Sequence, residues 1–135
     1  MTEAVLTLLE ESRRREKAQA LFYRRLAARS GVSGQAALVD RFNDLHADEQ
    51  HHLSRLTARV FELDGVPEEI SGGEEEIPAL DAWEKAARAR EEAEVEWYRR
   101  VLEEPMDPET KRVFQEILES EEHHARELAG KWMSA

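Results

Sequence analysis

Four stretches of this sequence carry a helical apolar stripe that turns polar at its middle, and this pattern restricts the possible folds more than any other feature. The first stripe runs through Val5, Leu9, Ser12, Glu16, Gln19, Tyr23 and Leu26, and the second through Leu38, Phe42, Leu45, Glu49, His52, Leu56 and Leu63. The third runs through Leu80, Ala87, Glu91, Glu94, Tyr98 and Val101, and the fourth through Phe114, Ile117, Glu121, His124 and Leu128. Most steps are three or four residues and the longer ones are seven, which is the period of a core-facing helix surface. A polar side chain on such a surface is costly unless it is paired. Here the polar positions fall near the midpoints of all four segments. Packed side by side as a bundle, the segments bring Glu16, Glu49, Glu91 and Glu121 to about one level.

Helix-breaking signals separate the segments. "RSGVSGQ" carries Gly31 and Gly34 as a stop, with Ser33 as the expected N-cap of the next helix. Residues 64–78 form the one long irregular stretch. Asp107-Pro108 reads as an N-cap followed by proline at the first helical position. The expected helices cover 3–30, 35–63, 79–104 and 108–132, within a single domain over residues 1–135. An all-α chain agrees with 36% charged residues, 41% hydrophobic ones and few glycines and prolines.

Composition excludes several chemistries. With no cysteine, disulfides, thiolate catalysis, iron–sulfur clusters and a four-cysteine iron site all drop out. A formal charge of -11 argues against nucleic acid and against a membrane surface as partners. No apolar run approaches the roughly 20 residues that span a bilayer. The N-terminus lacks the basic region of a secretory signal. A cytoplasmic location is the expectation.

The decisive spacing concerns the only two tyrosines. Each has a glutamate seven residues before it, Glu16 to Tyr23 and Glu91 to Tyr98, which is about two turns on one face. Each such pair is followed by Glu-x-x-His, as Glu49–His52 and Glu121–His124. A Glu-x-x-His alone is weak in so glutamate-rich a chain. The order Glu-x6-Tyr, Glu-x-x-His, given twice, is an internal repeat of a helix pair. Carboxylates converging in a bundle core need a counter-charge, which two multivalent cations would supply. A Glu and a His three residues apart can serve one metal, and a carboxylate from each other helix can complete or bridge two. Carboxylate and imidazole without thiolate suit iron or manganese, while ligand type leaves zinc open.

With these residues in place, the sequence resembles the rubrerythrin branch of the ferritin-like superfamily, in its short form without a rubredoxin domain. The resemblance implies a ferritin-like four-helix bundle, its two helix pairs joined by a long crossover, and a two-iron centre, with manganese or a mixed pair as alternatives. Carried onto this sequence, it implies Glu16, Glu49, Glu91 and Glu121 as carboxylate ligands, with Glu49 and Glu121 bridging, and His52 and His124 as imidazole ligands. Tyr23 and Tyr98 would donate hydrogen bonds to ligand carboxylates. Glu94, one turn after Glu91, resembles a further glutamate that exchanges with a histidine as iron ligand. Its counterpart in the first helix is Gln19, so the halves differ there.

The activity expected from this resemblance is reduction of hydrogen peroxide by a di-iron oxidoreductase, re-reduced by an unidentified electron donor, with Glu94, Tyr23 and Tyr98 assisting. The alternative is a ferroxidase that handles iron with dioxygen or peroxide. A third reading is a non-catalytic helical module held together by metal. His51 and His123 lie about 100° around their helices from the ligand pairs and read as flanking groups. His46 reads as ordinary, and Asp48 is a candidate for orienting a histidine. The tryptophans read as packing, and Arg13-Arg14-Arg15 as a solvated, paired face. A homodimer or larger homo-oligomer is expected, with helix exchange between copies as an alternative to a crossover within one chain.

Overall fold

The computed structural model describes residues 2–71 and 77–131, the last two of these through their backbone only. The order of elements is α1 (Thr2–Val32), α2 (Ala36–Glu62), α3 (Trp83–Val101) and α4 (Pro108–Arg126). A 3-10 turn, Leu80–Ala82, leads into α3, and a π-helical turn, Glu127–Lys131, follows α4. The chain divides into two compact units, Thr2–Leu80 and Asp81–Ala135, each built on an antiparallel helix pair. Among the described residues no helix is long and apolar enough to cross a membrane.

In the first unit every position of the first stripe is buried, from Val5 to Leu26. Phe42, Leu45, Glu49, His52 and Leu56 of α2 are buried, while its expected ends, Leu38 and Leu63, are half-exposed and Val60 takes the last core position. α1 does not stop at Gly31. It runs on to Val32 and ends where Gly34 takes φ 73°. The Gly34 amide bonds the Gly31 carbonyl at 3.1 Å and the Gln35 amide bonds Ser30 at 2.9 Å, a Schellman termination. Ser33 is therefore spent in the turn, and the α2 N-cap is Gln35, which makes no side-chain cap. α2 ends likewise on Asp64 at φ 64°, with the Gly65 amide bonded to Val60 at 2.9 Å.

The described residues on either side of 72–76 attach to α1. Near the start of α1, the Glu68 amide donates to Glu10 Oε2 at 2.8 Å and Arg13 donates to the Glu68 carbonyl at 3.0 Å. Toward the other end, Arg29 donates to the Pro78 carbonyl at 3.0 Å. Arg13 also donates to Thr57 Oγ1 of α2 at 2.9 Å and pairs with Glu10. At 8% exposure, Arg13 is a buried brace and not the solvated surface its charged neighbourhood suggests. Arg14 does lie at the surface, paired with Glu11 and Glu68.

In the second unit Ala87, Glu91, Glu94, Tyr98 and Val101 of α3 are buried, as are Phe114, Ile117, Glu121 and His124 of α4. α3 begins at Trp83 and ends at Val101, shorter at both ends than the expected 79–104. Asp107 caps α4 as expected. Its carboxylate accepts from the Thr110 amide at 3.0 Å and the Thr110 hydroxyl at 2.7 Å, with Pro108 opening the helix. Trp83 is core and Trp97 half-buried, whereas Trp132 lies outside the described residues.

Candidate metal centre

Within the first unit, α1 presents Glu16 and α2 presents Glu49 and His52 on facing stripes. Both carboxylates are 0% exposed and the imidazole 5%. His52 Nδ1 lies 3.1 Å from Glu16 Oε1 and 3.1 Å from Glu49 Oε1. Burial alone would lower the pKa of this histidine, but hydrogen bonds to Glu16 and Glu49 and their charges outweigh it and push the value up to about 10. Without a metal the proton acts as the local cation. Two carboxylates facing one imidazolium still leave this group of three negative.

The second unit repeats the arrangement. α3 presents Glu91, and α4 presents Glu121 and His124, with exposures of 0%, 0% and 1%. His124 Nδ1 lies 3.1 Å from Glu121 Oε1 and 3.6 Å from Glu91 Oε1. In both units the same ring nitrogen faces the glutamate one turn earlier and the glutamate of the neighbouring helix. The repeat read from the sequence is thus a repeat of geometry.

Each group of three is compact enough to serve a metal ion. Ligand atoms of Glu16, Glu49 and His52 lie within 4.8 Å of one another, and so do those of Glu91, Glu121 and His124. Donor atoms each about 2.0–2.2 Å from one ion lie no more than roughly 4.4 Å apart, so only small adjustments are needed to close a shell. Buried carboxylate oxygens with one imidazole nitrogen suit iron or manganese.

Glu94 is 7% exposed on the α3 stripe but joins neither group of ligand atoms. Tyr23 and Tyr98 are fully buried, two turns beyond Glu16 and Glu91. Tyr23 packs edge-on against Phe22 at 5.2 Å, and Tyr98 lies 6.0 Å from Phe114. His51 and His123 are exposed, and His123 Nε2 lies 3.3 Å from Glu127. His46 braces the first pair through Nδ1, which donates to the Ala20 carbonyl at 2.8 Å. Asp48 is on the exposed face of α2.

Two features escape the sequence reading. Arg13 follows Leu9 by four residues and precedes Glu16 by three, which places it near the buried stripe, but its neighbours Arg14 and Arg15 mask the signal. Gln19 reads only as an asymmetry. In the structure its Nε2 donates to Glu49 Oε2 at 3.4 Å, inside the core.

A family model described as rubrerythrin matches residues 7–131. The chain belongs to the rubrerythrin family. No curated protein matches it significantly. Among solved structures, Mycobacterium tuberculosis bacterioferritin BfrA is 24% identical, with a TM-score of 0.86 over 94% of this chain and 82% of that one. A second structure of M. tuberculosis BfrA and one of a mycobacterial bacterioferritin are both 23% identical, with TM-scores of 0.87 over 96% of this chain and 83% of theirs. Together these show that this rubrerythrin-family chain has the ferritin-like four-helix fold. The donors of each helix pair fit a di-iron site of the kind known for such bundles, a glutamate from one helix and Glu-x-x-His from the next.

Proposed function

We propose that the two carboxylate–histidine groups act together as one dinuclear iron centre, and that the protein is a ferroxidase-type oxidoreductase that handles ferrous iron. The observation that carries this reading is the pair of equivalent groups, four carboxylates at 0% exposure with two histidines. Even with both histidines protonated, four carboxylates leave a net charge of -2, whereas two divalent ions on neutral imidazoles would balance all four carboxylates. Membership of the rubrerythrin family and the likeness to bacterioferritins support iron as the metal. The formal charge of -11 favours approach of cations.

In this reading Glu16, Glu49 and His52 would hold one ion, and Glu91, Glu121 and His124 the other. When bound, two ferrous ions supply the two electrons that reduce one peroxide, with two protons, to two waters, or that begin the reduction of dioxygen. The chain's own part is to hold the donors in place, to keep bulk water from a buried site, and to supply protons through Glu94, Tyr23 and Tyr98. A single domain in the cytoplasm, acting as a homodimer or larger homo-oligomer, accords with this role.

A second reading, reduction of hydrogen peroxide with electrons from an external donor, is favoured by one observation. Glu94 is an additional buried carboxylate beyond the two groups of three. The two readings separate in one experiment. Purified protein is loaded with ferrous iron under nitrogen and mixed with air or with peroxide. Fast oxidation by air, with continued turnover of added ferrous iron, supports the ferroxidase. Fast oxidation by peroxide and slow oxidation by air supports the peroxidase. Failure to bind two iron or manganese ions per chain under metal-replete conditions sinks both.

A further inference from the structure

Gln19 occupies an unusual place for a neutral side chain. It lies one turn after Glu16 on the buried stripe of α1 and is 1% exposed. Its Nε2 lies 3.4 Å from Glu49 Oε2, at the long end for such a hydrogen bond. The opposite amide orientation would set Oε1 against the carboxylate, oxygen against oxygen, so the donor is the end that faces Glu49. At the repeat-related position of α3 stands Glu94, also buried. The two helix pairs thus match in Glu16 and Glu91, Glu49 and Glu121, His52 and His124, and Tyr23 and Tyr98, and differ at this buried position between an amide and a carboxylate.

The chemical consequences differ in kind. A carboxylate adds a negative charge and can bind a cation. A side-chain N–H cannot bind a cation, but it restrains the carboxylate it bonds and withdraws charge from it. We propose that Gln19 is a positioning residue for Glu49 and makes the two metal positions unequal, so that they fill in sequence. The inference rests on the dinuclear reading above. It holds whichever position fills first, because the repeat would otherwise give two equivalent positions. Sensitivity of affinity to the number of charged ligands is the general behaviour of carboxylate sites for hard cations.

The test uses the full chain and manganous ion alone, titrated under nitrogen, with free Mn²⁺ read by electron paramagnetic resonance and the apo and loaded melting temperatures read in parallel. The wild type should bind two ions in steps separated by at least about tenfold in affinity. Gln19→Glu should bring the steps together, lower the melting temperature of the apo protein by placing a carboxylate against Glu49, and enlarge the rise on adding Mn²⁺. Gln19→Leu keeps the packing but removes the donor, and should weaken total Mn²⁺ binding without lowering helix content. Two ions bound with equal affinity by the wild type, with Gln19→Glu and Gln19→Leu indistinguishable from it, would overturn this inference alone. A wild type that binds no Mn²⁺ would overturn the dinuclear reading and this inference with it.

Discussion

His52 shows how one side chain can report the state of the whole site. Its pKa rises from 6.5 to about 10 because Glu16 and Glu49 outweigh the penalty of burial. The folded apo protein therefore holds this proton more tightly than the unfolded chain does. The stabilisation is complete below about pH 6.5 and is lost as pH rises toward 10. Melting temperatures of metal-free protein should fall across that window, and the fall should be shallower in His52→Gln. A metal takes the place of the proton, so adding Mn²⁺ in weak buffer at pH 7.5 should release protons. Ligand roles give a sharper contrast. Glu49→Ala and Glu121→Ala should lose the two-metal site, whereas Glu11→Ala should keep it, because Glu11 is a half-exposed partner of Arg14 at 2.7 Å. Equal metal content in the three variants would refute the ligand assignment. These residues were legible in the sequence because a repeat of two spacings marked them. The Gln19–Glu49 contact was not, since it depends on how α1 and α2 align across their interface, which neither helix encodes alone.

Helices were more legible in their faces than in their ends. A stripe must fill a whole core surface, so many residues vote for it, whereas one or two decide a boundary. The Asp107-Pro108 start was unambiguous because its two signals, a cap and a proline at the first position, agree. The α1–α2 turn offered Gly31, Ser33 and Gly34, and only the backbone bonds to Ser30 and Gly31 select Gly34. These ends have measurable consequences. Asp107→Ala should cost about 1 kcal/mol in denaturant unfolding, the usual worth of such a cap. Gln35→Ser should gain up to about 1 kcal/mol, since α2 lacks a side-chain cap. Gly65→Ala should be more damaging than either. Its Cβ would lie 2.9 Å from Leu6 Cδ2 and 3.2 Å from the Val60 carbonyl oxygen, and that backbone atom has little freedom to move. A Gly65→Ala variant as stable as the wild type would show that the α2 terminus is less constrained than its contacts imply.

At the scale of the molecule, the fold was readable and the choice of oxidant was not. Ferroxidase and peroxidase readings use the same buried donors, so a list of ligand residues does not separate them. The path of the connection between the helix pairs was likewise open in the sequence, between a crossover along one chain and an exchange between copies. The structure ties both sides of this segment to its own α1, at Glu68 through Glu10 and Arg13 and at Pro78 through Arg29. From Arg13 to Arg29 α1 rises about 24 Å. The ten residues from Glu68 to Pro78 can reach roughly 33–36 Å when extended, so one chain is long enough to make both attachments to α1. The Glu68 attachment depends on a buried ion pair, its side chains 9% and 10% exposed. Removing one member strands the other charge, which for buried pairs costs about 3–5 kcal/mol. Arg13→Leu should therefore destabilise the protein by about 3 kcal/mol in urea and speed proteolysis of the connection. Arg14→Ala, with a side chain 45% exposed, should cost no more than about 1 kcal/mol. Adding Glu10→Leu to Arg13→Leu should restore part of the loss, because no charge is then left buried. If Arg13→Leu proves no worse than Arg14→Ala, the connection is held by something other than this pair.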